Sequence, residues 1–239
     1  MLGLFLTGVR PNSGKTFVTT GLAATMQSLG YSTCVYKPVE TGALEKDGYI
    51  LAPDLVYVRS ADKNITTYCS YLFKSCNLPC FAAQEENKEI NKDVIFQDYY
   101  SIMDEFECLL VNGVDGLSIP YGKDFYEENI IQILNLPLLL VASPIKSSLS
   151  DILMTIEHAR TKNINLRGII LNDCPFESDD ININSLPHLI EQHAGVRVLG
   201  IIPHIPSFTR LKPEDMIAYI LAGVDIESVF DVKIAKLSC

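Results

Sequence analysis

Apolar residues along the chain fall into short, almost unbroken runs, separated by longer stretches in which they recur every three or four positions. "LGLFLT" at 2–7, "CLLVN" at 108–112, "PLLLVAS" at 137–143, "LRGIILN" at 166–172 and "VRVLGIIP" at 196–203 are runs of the first kind. They are short and nearly continuous, so they predict strands buried on both faces. "STCVYK" at 32–37 reads as a further strand. Between them, periodic stretches predict helices at 15–30, 53–60, 91–104, 124–135, 149–163 and 183–194. Ile152, Ile156 and Ala159 share one face of the fifth, and Gly30 stands where the first should stop. Strands alternating with amphipathic helices predict an α/β fold, a mostly parallel sheet with helices on both faces. The stretch after 37 reads as irregular, and "EDMIAYILAG" in the 207–239 segment reads as a helix that caps the sheet or joins a dimer. No internal repeat or linker divides the chain, so one nucleotide-binding domain is expected over 1–239.

Polar residues that carry chemistry gather just beyond the predicted strands, where open parallel sheets collect their ligands. Five such exits stand out: Gly8–Thr16, Lys37–Gly42, Asn112–Gly116, Ser143–Ser150 and Asn172. The first, "GVRPNSGKT", lies between a strand and a helix, the setting of a P-loop, in which backbone N–H groups close around phosphate. Its spacing is unusual, with five residues between Gly8 and Gly14 where the common loop has four. Lys15 and Thr16 open the helix, where an anion is favoured. Lys15 is the candidate bridge between terminal phosphates, and the Thr16 hydroxyl the candidate Mg²⁺ ligand. Gly8, Arg10, Asn12, Ser13, Gly14 and Phe17 complete the candidate nucleotide contacts. Pro38 restricts Lys37 to an extended backbone and pins it at the end of the second strand. Asp54 is the candidate second Mg²⁺ ligand.

Composition narrows the partners. The chain has 239 residues, 19 basic against 29 acidic, for a net charge of −10. That balance argues against DNA or RNA, whose affinity comes from clustered Lys and Arg. Seven cysteines, an odd number at irregular spacing without C-x-x-C, read as free thiols of a reducing cytosol: Cys34, Cys69, Cys76, Cys80, Cys108, Cys174 and Cys239. No secretory signal is expected, and Gln132, Asn135 and Pro137 interrupt the longest apolar region, so a membrane span is not expected either. The expected location is the cytoplasm.

Taken together, these motifs resemble the dethiobiotin synthetase family. Its loop, G-T-x-T-x-x-G-K-T, also has five residues between the glycines, and its Y-K-P-[VI]-x-[ST]-G motif is matched by Tyr36 to Gly42. Asp54, the Asn172-Asp173 pair and the turn Gly200-Ile201-Ile202-Pro203 match further family positions. The resemblance implies an ATP- and Mg²⁺-dependent ligase that carboxylates 7,8-diaminononanoate with CO2 and closes a cyclic urea in biotin biosynthesis. It implies that Lys15 and Lys37 supply positive charge at the γ-phosphate and carbamate, that Thr41 touches the substrate, and that Asn172 with Pro203 borders the adenine. It also implies a homodimer with the substrate site at the interface, to which the partner contributes its 147–151 segment.

Three departures stand against the family pattern. Val9 and Pro11 replace threonines in the loop. Asn112-Gly113-Val114-Asp115-Gly116 stands where the family has E-G-A-G-G, so the third metal position is an amide, with Asp115 either compensating or serving the turn. Lys146-Ser147-Ser148-Leu149-Ser150 replaces L-G-x-I-N near the expected substrate carboxylate, leaving Ser147 and Ser150 as candidate substrate contacts. These changes keep two alternatives open: an amidoligase acting on another carboxylate, and a weakly catalytic partition-type nucleotide-binding protein.

Overall fold

The computed structural model describes residues 1–175 and 178–234. Its chain runs β1 (Leu2–Gly8), α1 (Lys15–Ser28), β2 (Thr33–Thr41), β3 (Leu44–Lys46), β4 (Tyr49–Leu51), α2 (Pro53–Ala61), β5 (Thr66–Phe73), α3 (Pro79–Glu85) and α4 (Lys92–Ile102). It continues through β6 (Cys108–Asn112), β7 (Pro120–Gly122), β8 (Phe125–Tyr126), α5 (Glu127–Leu134), β9 (Leu138–Ala142) and α6 (Leu149–Thr161). The last elements are β10 (Leu166–Cys174), α7 (Ile181–Ala194), β11 (Val198–Pro203), α8 (Pro213–Gly223) and α9 (Ile226–Phe230). Seven strands form one parallel sheet in the order β11-β10-β9-β1-β6-β2-β5. β1 lies at its centre, so the loop that follows β1 opens at the middle of the carboxyl edge.

Period-two alternation along the central strands divides the core between two faces. Leu4 and Leu6 of β1, Leu110 of β6, and Leu139 and Val141 of β9 pack with Val18 and Leu22 of α1, Val58 of α2, Ile220 of α8 and Val229 of α9. Phe5, Leu109, Val111, Leu138 and Leu140 face the other way, onto Ile95 and Tyr99 of α4, Ile131 of α5, Ile156 of α6 and Ile190 of α7. Each face is covered by helices, as the continuous apolar strands require. Helix α8 covers the same face as α1, and Ile220 packs close against Gly21. The expected helix in the 207–239 segment therefore caps the sheet; residues 235–239, Cys239 included, lie outside the described residues.

Several elements differ from those the pattern predicts. β2 does not stop at Lys37 but runs through Pro38 to Thr41. Pairing with β6 ends at Tyr36, opposite Val111, whereas pairing with β5 continues to Thr41 opposite Phe73. Pro38 thus lies where the strand has lost one neighbour, the position a proline tolerates. β5 is an additional edge strand, read as irregular because "TTYCSYLF" is mostly half-buried and carries little apolar periodicity. A small β7–β8 hairpin occupies 120–126, which delays the start of α5 from 124 to Glu127. The cysteines among the described residues are unbridged.

Candidate active site

The loop after β1 is shaped by two glycines. A Cβ on Gly8 would lie 2.5 Å from Ser13 Oγ and 2.6 Å from Asp115 Oδ1. Gly14 has φ +84°, and a Cβ there would come within 2.0 Å of Asn172 Nδ2. That amide donates to the Ser13 carbonyl at 3.1 Å, so Asn172 of β10 fastens the loop from across the sheet. Helix α1 begins at Lys15 with no side-chain cap and no acidic residue in its first turn. Its first N–H groups and its positive end are therefore left for an anion.

Four strands and helices bring five polar side chains to this point. Lys15, 5% exposed, donates to Asn112 Oδ1 at 3.0 Å. Thr16 Oγ1 donates to Asp54 Oδ1 at 2.9 Å. Lys37 of β2, 4% exposed, donates to Asp54 Oδ2 and, at 3.2 Å, to the Gly113 carbonyl. Asn112 Nδ2 also donates to Asp54 Oδ2, at 3.1 Å, and Lys15 Nζ lies 3.9 Å from the same oxygen. Asp54 is thus the hub, carried by the first turn of α2.

Electrostatics follows from that geometry. Burial pushes the Lys15 ammonium below the ordinary lysine value, and the neighbouring Lys37 pushes it further. Burial also penalises Lys37, but Asp54 and Glu40 outweigh it and raise the ammonium above its usual value. Asp54 is half-buried, which on its own would raise its carboxyl, yet Lys37 and Lys15 hold it well below the usual range. Two other carboxyls go the opposite way. Burial lifts Glu40 to about 7 against the pull of Lys37. Burial likewise lifts Glu127 to about 7, although Thr7, the Val114 N–H and Tyr121 hydrogen-bond its carboxylate.

A cleft of about 860 Å³ opens over these groups. On the β10–β11 side it is lined by Asn172, Asp173, Pro203, His204, Ile205 and Phe208, and on the β2–β5 side by Val39, Glu40, Thr41, Cys76, Leu78 and Pro79. Phe17 lines it and stands edge-on to Phe208, with ring centroids 6.2 Å apart. The Thr16 hydroxyl and Asp54 carboxylate are hard oxygen donors placed side by side, a pairing that suits Mg²⁺ completed by phosphate oxygens. Among the described residues no cluster of three or more His, Cys, Asp or Glu could hold a metal unaided.

The structure brings Asn12, Gly14, Lys15, Thr16, Phe17, Lys37, Thr41, Asp54, Asn172 and Pro203 to one cleft. Gly8 and Ser13 are loop residues that do not line the cleft, nor does Asn112, whose side-chain oxygen accepts from Lys15. Arg10 points outward and pairs with Asp151 of α6 at 2.7 Å. Ser147 is buried, with its hydroxyl unpartnered, and Ser150 is exposed on α6; neither lines the cleft of its own chain. Lys146 does, donating to the Asn12 carbonyl at 2.8 Å. Glu40 has no role among the sequence expectations, because the strand is expected to end at Lys37 and the stretch beyond it to be irregular. Glu127 was hidden because an acid in the first turn of an amphipathic helix ordinarily faces water.

A parallel sheet whose central strand ends in a Gly-Lys-Thr loop, with a buried lysine and a Thr–Asp pair over the helix start, defines a P-loop nucleotide-binding α/β protein. The fold is that of the MinD cell division ATPase of Pyrococcus furiosus, with a TM-score of 0.62, 18% identity and full coverage of both chains. The profile of a family described as an AAA domain matches residues 2–212. The chain is 30% identical over 211 residues to the ATP-dependent dethiobiotin synthetase BioD of Anoxybacillus flavithermus, covering 87% of this chain and 95% of that one. Against the same enzyme of Bacillus subtilis strain 168 it is 30% identical over 217 residues, covering 88% and 90%. The chain belongs to the dethiobiotin synthetase family.

Proposed function

We propose that the chain is an ATP- and Mg²⁺-dependent ligase that makes dethiobiotin from 7,8-diaminononanoate and CO2. The observation that carries this reading is the convergence of Lys15, Lys37, Thr16 and Asp54 on one cleft at the exit of the central strand. The triphosphate lies across the loop, with its outermost phosphate between the two ammonium groups and its base toward Asn172 and Pro203. Thr16 and Asp54 would hold magnesium, which would supply charge neutralisation at the terminal phosphates. Asn112 contributes less, because its oxygen is held by Lys15 and its amide by Asp54.

The diamine enters from the β2–β5 side, where Val39, Leu78 and Pro79 offer an apolar wall for its alkyl chain and Thr41 a hydroxyl. One amine adds to CO2 and loses a proton, giving a carbamate. A carbamate oxygen attacks the γ-phosphorus and ADP departs, which leaves a carbamic–phosphoric anhydride. The neighbouring neutral amine attacks the carbonyl carbon, phosphate leaves with the C–O electron pair, and the attacking nitrogen gives one proton to that phosphate as the ring closes. Lys37 and Lys15 stabilise negative charge on the transferring phosphoryl group, and holding both amines in the cleft makes the closure unimolecular. Two chains pair, and the 147–151 segment of one borders the substrate of the other; exposed Ile145 and Met154 flank that segment. The protein works in the cytoplasm.

The test is dethiobiotin formation by purified protein given ATP, Mg²⁺, bicarbonate and diaminononanoate. Product should appear with the wild type and vanish with Lys15→Ala, whose stabilisation by ATP should also shrink. ATP-stabilised protein that makes no dethiobiotin would refute the assignment.

A further inference from the structure

Glu40 is a buried acid without a task in the reaction as derived. It is 6% exposed and lies beside the cleft on β2. Its Oε2 has no hydrogen-bond partner among the described residues, although it stands only 3.9 Å from Lys37 Nζ. The Asp54 backbone N–H helps to hold the carboxylate in place. A buried carboxylate oxygen left without a donor is unfavourable, and native structures rarely keep one unless another state satisfies it.

The donor it lacks is on Lys37, and Lys37 is committed elsewhere. That ammonium bonds to Asp54 Oδ2 and to the Gly113 carbonyl. Asp54 in turn is oversubscribed, because Oδ2 also takes Asn112 Nδ2 at 3.1 Å and faces Lys15 at 3.9 Å, while Oδ1 takes Thr16. If Asp54 gives oxygen to a divalent cation, its hold on Lys37 weakens. A shift of roughly 1 Å would then bring Lys37 Nζ within hydrogen-bond distance of Glu40 Oε2.

We infer that Glu40 is a positioning residue which takes over Lys37 when Asp54 turns to the metal, so that metal loading and placement of the catalytic ammonium are one coupled exchange. The inference rests on the proposed roles of Thr16 and Asp54, and it concerns what Lys37 does once they are engaged. Without Glu40, Lys37 has no second acid and competes with the cation for Asp54. Glu40→Gln keeps the shape and removes that acid.

The experiment is a Mg²⁺ titration by calorimetry of the full chain loaded with a non-hydrolysable ATP analogue. Glu40→Gln should bind Mg²⁺ more weakly, on the order of fivefold. In a Lys37→Met background, where nothing competes for Asp54, the same substitution should change the affinity little. Equal losses in both backgrounds would reveal only the missing charge and overturn the exchange, as would an unchanged Mg²⁺ affinity in folded Glu40→Gln. Should that variant not fold, a crystal of the wild type with analogue and Mg²⁺ decides. Lys37 bonded to Glu40 supports the inference, and Lys37 still on Asp54 with Glu40 unbonded overturns it. The coupling with no dethiobiotin formed by the wild type would refute the reaction yet support the exchange; absence of Mg²⁺ binding would refute both.

Discussion

Lys15 and Lys37 share one cleft and are almost equally buried, yet their ionisation moves in opposite directions. The difference is Asp54, which bonds directly to Lys37 but stands 3.9 Å from Lys15. Asn112 sits between them, and Asn112→Glu tests how that arrangement is balanced. Without ligands, the new carboxylate replaces a donor 3.1 Å from Asp54 Oδ2 with a like charge, so the melting temperature should fall. With the ATP analogue present, an added anionic oxygen should tighten Mg²⁺ binding; a weaker affinity would contradict the placement of the metal beside Asp54. Glu127 makes a pH prediction. Its carboxyl is lifted from 4.5 to about 7 by burial, so the folded chain holds that proton more tightly than the unfolded chain does. The resulting stability is fully present below about 4.5 and is lost as pH rises through about 7. Glu127→Gln should therefore flatten the decline of ligand-free stability between those values, as read by denaturant unfolding across pH. An unchanged slope would mean that Glu127 is not held protonated.

At the scale of elements, the junction of β1 and α1 is the most constrained point of the site. Gly14→Ala places a side chain at φ +84° and against the Asn172 amide, so it should cost at least about 1 kcal/mol of stability. The ATP-induced thermal shift should be lost with it, and retention of that shift would show that the loop does not need this conformation. This junction was legible in the sequence because its chemistry is local: glycines, lysine and threonine stand in order between an apolar run and a periodic one. The sequence predicts an end to β2 at Lys37, and only the departure of β6 after Tyr36 explains why the strand runs on through Pro38. β5 escaped notice because an edge strand needs no continuous apolar run. Glu40 and Glu127 were illegible as site residues for a different reason. Their character comes from what packs over them, which adjacent sequence does not encode.

Across the whole molecule, a net charge of −10 coexists with a cleft floored by two buried lysines. The acidic surface repels large polyanions, while Lys15, Lys37 and the uncapped start of α1 offer contacts to a small one. Among the described residues no helix is long and apolar enough to cross a membrane. The proposed pairing of two chains across the exposed Ile145 and Met154 predicts a dimer in sedimentation, and Met154→Glu should shift it to monomer with loss of turnover. A monomeric, fully active wild type would remove the partner from the site. In the proposed reaction a carbamate oxygen, held between the cleft lysines, attacks the terminal phosphate of ATP. Oxygen-18 carbon dioxide tests it directly, in a reaction shorter than CO2 exchange with water. One labelled oxygen in the phosphate released and a labelled carbonyl in the ring are expected, whereas unlabelled phosphate alongside labelled product would exclude attack by the carbamate oxygen.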